Sequence, residues 1–243
     1  MIFTAAYYAL QRLFSQKYRS MIWKVLGLTF IVFVIIWSCT RQFFMSYFWL
    51  WIAHFVPRLT NWAEWAEWAE LSILIIFNLG LSLLIAFFIA PITAMIGSFF
   101  IDNAAEIIEK EDYPNEPTGQ AMSFGYSVIF ALKFIILSLF GNVIAFFLFF
   151  IPNINLLAFY IINGYLFGRQ YFAFAAYRFR SKQEAHAFLR THHTTVFCAG
   201  LLIAFFVSIP ILNLVTPLFA AAFMTHLHKM LSRQKSTSIT LKQ

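Results

Sequence analysis

Long apolar runs alternate with short clusters of charge along the chain, and the length of each run predicts a different kind of helix. Residues 1–16 place Phe3, Ala6, Leu10, Leu13 and Phe14 near one helical stripe, with Gln11, Arg12, Ser15 and Gln16 elsewhere. With Lys17 and Arg19 following, 1–20 reads as an interfacial helix at a membrane surface. From Val25 to Thr40 no charge interrupts the run between Lys24 and Arg41. At 1.5 Å per residue that is about 24 Å, and both flanking charges can snorkel outward, so a first spanning helix is predicted over 22–40. Leu71 to Ile101 is uncharged for about 46 Å of helix, more than the roughly 30 Å hydrocarbon layer, with Pro91 inside it. A long, tilted or kinked second span over 71–101 follows. Between the two lies the repeat Trp62-Ala63-Glu64, Trp65-Ala66-Glu67, Trp68-Ala69-Glu70, whose tryptophans suit the headgroup layer.

Beyond the second span, Asp102, Glu106 and Glu109 recur at i, i+4, i+7 on one face, with Ile107 and Ile108 on another. The breakers of Tyr113-Pro114-Asn115-Glu116-Pro117 then end the pattern. The second span is expected to run on into this segment and project from the bilayer, its carboxylate face solvated rather than holding a cation.

A repeat organises the remainder. Ile151-Pro152-Asn153-Ile154-Asn155-Leu156 and Ile209-Pro210-Ile211-Leu212-Asn213-Leu214 both read I-P-x-[IL]-N-L, each between two apolar arms. Proline with asparagine three residues later suits a tight turn in which the asparagine caps the next helix. Two helical hairpins are predicted, over 124–177 and 195–228, with a tail over 229–243. The arms of the second, Val196–Ile209 and Leu214–Leu227, are about 21 Å each, short of the hydrocarbon thickness, so this hairpin is expected to dip in without crossing. For the first, re-entrant and fully spanning forms both remain open.

Composition settles the class. Of 243 residues 61% are apolar, 20% aromatic and 11% charged, against about 25% charged in soluble domains, and 32 are Phe. A water-soluble fold is excluded, because this apolar surface needs lipid as its sink. The expected architecture is all-α and polytopic, one integral membrane domain over 1–243 with two long transmembrane helices and two hairpins. The first apolar run begins near Met21 with no small-x-small site after it, so it reads as an anchor rather than a cleaved leader. The net charge of +7 is clustered: Arg12, Lys17, Arg19 and Lys24; Arg169, Arg178, Arg180, Lys182 and Arg190; Lys229, Arg233, Lys235 and Lys242. The positive-inside bias puts all three clusters, and both termini, in the cytoplasm, and six full spans would leave the same segments inside. Cys39 and Cys198 lie in apolar runs and read as buried thiols without disulfide or metal chemistry.

Re-entrant turns leave backbone groups that lipid cannot satisfy, so they must line a watery or protein-buried cavity. Helices starting at Asn155 and Asn213 would aim free N–H groups and positive dipole ends into it, which suits an anion. Cations on the approach are Arg19, Lys24, Lys133 and Arg169, and a divalent oxyanion needs several such donors to replace its hydration. The candidate site is therefore Arg19, Lys24, Lys133, Asn155, Arg169 and Asn213. The four cations have plainer alternatives: Arg19 and Lys24 as orientation signals, Lys133 as a snorkelling side chain, and Arg169 as paired with an acid or carbonyl. Asn142, Asn153 and Asn163 are expected to bond between helices, and Gly164 and Gly168 to permit close helix packing. His226 and His228 form H-x-H rather than the i, i+4 pair of zincin-type sites and read as surface histidines. With no G-x-S-x-G, Walker or G-x-G-x-x-G motif, neither an enzyme nor a resident cofactor or metal is expected, nor a nucleic-acid partner.

In order and spacing, Ala90-Pro91 leading to Asp102 and Glu106, the two I-P-x-[IL]-N-L turns, Asn163-Gly164-Tyr165 to Gly168-Arg169, Tyr171-Phe172 and Pro217 resemble the sulfate permease CysZ and etoposide-induced-protein family over about 5–230. The resemblance implies an inner-membrane, all-helical, oligomeric protein with two long spans, two partly inserted hairpins and cytoplasmic termini, acting in sulfate uptake for cysteine synthesis. Sulfate-transporting relatives carry an adjacent Arg pair at the start of the first span, where this chain has Arg19, Ser20 and Met21 with Lys24 a turn later. The expectation is thus a permease or channel for a small oxyanion, sulfate first. A non-transporting scaffold or assembly factor binding lipid or partner proteins is the alternative.

Overall fold

The structure, a computed structural model, describes residues 1–48, 63–123 and 154–240, together with 125, 129, 132, 136–137, 140–141, 143–144 and 147–148. It is all-α, and no strand occurs among the described residues. The helices are α1 (Ile2–Leu13), α2 (Gln16–Phe43, with a π-helical end Phe44–Phe48), α3 (Ala63–Ser98) and α4 (Ile101–Asp112). After them come α5 (Ile154–Tyr177), α6 (Lys182–Thr191), α7 (His193–Val207), the single turn α8 (Pro210–Asn213) and α9 (Thr216–Thr240).

The chain divides into two compact units, Lys24–Ile96 in one and Met1–Trp23 with Gly97–Gln243 in the other. The first holds the apolar lengths of α2 and α3. Gln16–Tyr47, 32 residues, is long and apolar enough to cross a bilayer, and Leu71–Leu83 is a shorter apolar stretch. Phe30, Ile31, Val34 and Ile35 of α2 are exposed, as a lipid-facing helix requires. Polar side chains here turn back onto their own helix: Thr29 Oγ1 donates to Val25 O at 2.7 Å and Asn78 Nδ2 to Leu74 O at 2.8 Å. That satisfies them without water. The stacked rings of Phe44 and Phe77, 3.5 Å apart, join α2 to α3.

The second unit is built around α9, which is buried continuously from Thr216 to Lys229. Ala5, Ala6, Ala9 and Leu13 of α1 are buried, while Phe3 and Phe14, from the expected apolar stripe, stay exposed. Alanines let α1 approach α9 closely and leave its bulky residues outside. The α5–α7 pair is closer still. A Cβ added to Gly200 would lie 1.9 Å from Gly164 O and 2.7 Å from Gly168 Cα, and one on Gly168 would lie 2.4 Å from Val196 O. Small residues at 164, 168 and 200 therefore bring the two backbones into contact, as the sequence predicts for 164 and 168. A Cβ on Gly141 would reach Ile162 and Leu166 at 3.0 and 3.1 Å, so Gly141 packs on α5; the first I-P-x-[IL]-N-L turn at 151–153 lies outside the described residues.

The second hairpin is present as α7, the α8 turn and α9, with Phe206 stacked on Phe219 at 4.1 Å beside the bend. α7 has 15 residues, about 22 Å, and meets α6 at 85°. Ser181 starts α6 in a capping box with Glu184. Several details differ from expectation. α2, which holds the expected first span, begins at Gln16, so Lys17, Arg19 and Lys24 ride on its opening turns, and α1, over the expected interfacial segment, stops at Leu13. The helix that holds the expected second span does not run on into the acidic segment, because Phe99–Phe100 break α3 from α4. Asn213 does not cap the following helix: it closes the α8 turn, its N–H bonded to Ile209 O at 2.8 Å, and α9 starts at Thr216. Cys39 and Cys198 are exposed rather than buried, since in an apolar helix that faces lipid a small apolar residue has no protein around it.

Candidate functional site

A polar assembly stands out in the larger unit, a layer of ion pairs where α1, the start of α2, α4 and α9 meet the residues after α5. Arg178, just past α5, donates from Nε to Glu109 Oε1 at 2.7 Å and from Nη2 to Glu109 Oε2 at 3.2 Å, while Nη1 reaches Asp102. Glu109 is 1% exposed, and its Oε2 also accepts from Gly119 N–H at 2.8 Å. Burial alone would push the Arg178 guanidinium down, but Glu109 and Asp102 raise it, so the fork is held charged.

The same layer pins the segment after α4. Gln120 N–H donates to Arg178 O at 2.9 Å, and Lys229 Nζ reaches Glu116 at 3.0 Å and Pro117 O at 3.1 Å. Arg233 Nε reaches Glu116 at 2.6 Å. Arg12 grips Glu111 and Asp112 from α1, and Lys17 pairs with Glu111 at 2.8 Å. Burial pushes the Tyr113 phenol up to about 12, so it stays protonated; its oxygen lies 3.0 Å from His226 Nδ1. His228 stacks on Phe179 at 5.1 Å and its Nε2 accepts from Arg180 Nε at 3.3 Å.

This layer corrects two expectations. Of the three carboxylates assigned to a solvated face, Glu106 is exposed and paired with Lys110, but Glu109 is enclosed in an ion pair. Its i+7 relation to Asp102 is what lets one guanidinium meet both. His226 and His228 are buried, at 1% and 2%, not surface residues, because α9 is covered by α1, α4 and α5, and Phe188 of α6 lies edge-on to His228 at 5.4 Å. Their burial among aromatics could have been suspected from the apolar positions Phe223, Met224, Leu227 and Leu231 that flank them.

Apart from this layer stand three cations of the expected site, Arg19 and Arg169 in the larger unit and Lys24 in the smaller. Arg19 and Lys24 are exposed on α2, and Arg169 is exposed on α5 with its Nη1 donating to Tyr165 Oη at 2.8 Å. No carboxylate pairs with any of the three among the described residues. Asn155 is the second residue of α5, and Asn213 is half-buried at the end of α8. Lys133 lies outside the described residues, as do Asn142 and Asn153. Among the described residues, no hydrogen bond or ion pair joins Arg19, Arg169 and Asn213 to one another. Among the described residues Asn163 bonds within its own helix rather than between helices, its Nδ2 donating to Phe159 O at 2.9 Å. No cluster of three or more potential metal ligands occurs among the described residues.

The pattern of the family described as sulfate transporter CysZ/etoposide-induced protein 2.4 matches residues 5–217. That stretch holds all six candidate positions and reaches the first turn of α9. No curated protein matches the chain. The match covers far more than half the sequence, and with the exposed apolar length of α2 it makes this chain a membrane protein of the sulfate transporter CysZ/etoposide-induced protein 2.4 family.

Proposed function

We propose that the protein is an inner-membrane permease or channel for a small oxyanion, sulfate first, serving uptake for cysteine synthesis. The observation that carries this reading is the family match over 5–217. The charge pattern supports it: Arg19, Lys24 and Arg169 carry no carboxylate among the described residues, whereas Arg12, Lys17, Arg178, Lys229 and Arg233 each meet one. A cation without a fixed counter-ion is free to hold a mobile one. Lys133, Asn155 and Asn213 complete the proposed route, with the start of α5 contributing free N–H groups. The gathering of 12–17, 178–180 and 229–233 in one polar layer supports placing these three basic clusters together on the cytoplasmic side, with both termini there. A homo-oligomer in the lipid bilayer is the proposed assembly.

Radiolabelled sulfate uptake into proteoliposomes tests the reading. The expected result is saturable uptake that unlabelled sulfate competes away and that Arg169→Gln reduces at least tenfold, the order of one charge-assisted hydrogen bond. Absence of uptake by correctly folded protein at every pH and gradient would refute it and favour the lipid- or protein-binding scaffold.

A further inference from the structure

Within α5, 24 residues from Ile154 to Tyr177, Arg169 is the sole charged residue. A charge on so apolar a helix is expensive to keep near lipid, and such residues mark sites by default. What surrounds it is informative. Its guanidinium donates one N–H to Tyr165 Oη at 2.8 Å, one turn back, and lies 6.0 Å from the centre of that ring. Among the described residues, no hydrogen bond takes up the other four of its five guanidinium N–H donors. Because Tyr165 Oη accepts from Arg169, the phenol's own proton is left to point elsewhere. Both side chains are exposed, Tyr165 at 49%.

The helix that carries them is fixed in rotation. Gly164 and Gly168 face α7 with no room for a Cβ at either position, the nearest atoms being Leu201 Cδ2 at 2.6 Å and Val196 O at 2.4 Å. Tyr165 and Arg169 each follow one of these glycines, so they stand about 100° round the helix from the seam, stacked at i and i+4. The pair is thus presented on a rigid edge, the arrangement a binding group needs to hold its geometry.

We propose that Tyr165 is a second anion-coordinating residue, its hydroxyl fixing the Arg169 guanidinium while donating its own proton to the same oxyanion. The inference rests on the oxyanion reading above and adds a substrate class. The pair supplies N–H and O–H donors and no carboxylate to accept a hydrogen bond. It therefore suits a fully ionised tetrahedral oxyanion, all of whose oxygens accept, over hydrogen phosphate, whose O–H would lack an acceptor.

Tyr165→Phe keeps the ring, removes only the hydroxyl, and disturbs no buried contact. Sulfate uptake by proteoliposomes and equilibrium binding of labelled sulfate, each with phosphate as competitor, provide the readouts. In the variant KM and Kd for sulfate rise about tenfold, the maximal rate stays within twofold, and phosphate competes relatively better. A merely structural tyrosine would leave the preference between the two anions unmoved. If Tyr165→Phe matches wild type in KM, Kd and preference while Arg169→Gln is impaired, the Tyr165 assignment is overturned and the oxyanion reading stands. If the wild-type protein neither binds nor transports sulfate, both fall.

Discussion

Replacing Glu109 by alanine removes the acceptor for three hydrogen bonds at once, two from Arg178 at 2.7 and 3.2 Å and one from Gly119 N–H at 2.8 Å. The Arg178 side chain is 2% exposed, so it cannot recover that loss from water; Asp102, 35% exposed, remains its other partner. Leaving a buried charge without its counter-ion costs about 3–5 kcal/mol. At roughly 2–4 °C per kcal/mol for 150–250 residues, the midpoint for loss of monodisperse protein on heating in detergent should fall by about 6–20 °C. The double variant Glu109→Leu, Arg178→Met removes both charges and leaves chiefly the Gly119 amide unsatisfied, worth about 1–3 kcal/mol, so it should be more stable than Glu109→Ala. A loss of under about 1 kcal/mol for Glu109→Ala is what an exposed pair gives. That value, or a double variant worse than the single, would refute the view of this fork as a buried, mutually dependent pair.

Other expectations use the same heating assay. Gly200→Ala drives a Cβ to 1.9 Å from Gly164 O and should destabilise by about 1–3 kcal/mol or more, whereas Gly80→Ala on α3, with nothing within 4 Å, should be neutral or gain up to about 1 kcal/mol from helix propensity. Equal effects at the two sites would argue against the close α5–α7 seam. Burial tends to raise the Glu116 carboxyl, but its bonds to Lys229 and Arg233 outweigh that and hold it below its ordinary 4.5. A depressed carboxyl stabilises above the unfolded value and loses that contribution as pH falls through the folded one. The midpoint should therefore drop below about pH 4.5, and Glu116→Gln should make that drop shallower; an unchanged acid limb would remove Glu116 from the set of groups holding the segment after α4.

Helix identity was legible because uncharged runs and the second I-P-x-[IL]-N-L turn are local signals, and the glycines at 164 and 168 announced a close seam by their spacing. What escaped depends on distant partners. Nothing near Glu109 in the chain says that Arg178 lies against it, since 69 residues separate the two. His226 and His228 looked peripheral because Lys229 follows them, yet Lys229 is itself 4% exposed, its ammonium lying over Phe179 at 4.2 Å and bonded to Glu116. Asn213 failed as a cap for a local reason. Proline at the first position of α8 starts a helical turn of its own, which consumes the asparagine before α9 begins.

Positive charge in this chain divides by what it already holds, and that division decides where an anion can go. In the polar layer an incoming oxyanion would have to displace a carboxylate: Glu109 from Arg178, Glu116 from Lys229, or Asp112 from Arg12. For the buried fork the loss would be of the order of the 3–5 kcal/mol already assigned to breaking it, and the freed carboxylate would repel the newcomer. Arg169 imposes no such exchange. Its one described partner is a neutral phenol that keeps a proton to offer, and its remaining donors face outward from a helix locked by its glycine seam. The layer with the most arginine and lysine is therefore the mortar of the larger unit, and on the function proposed above the sparsely charged helix beside it is where an anion would find donors that no other described residue takes up.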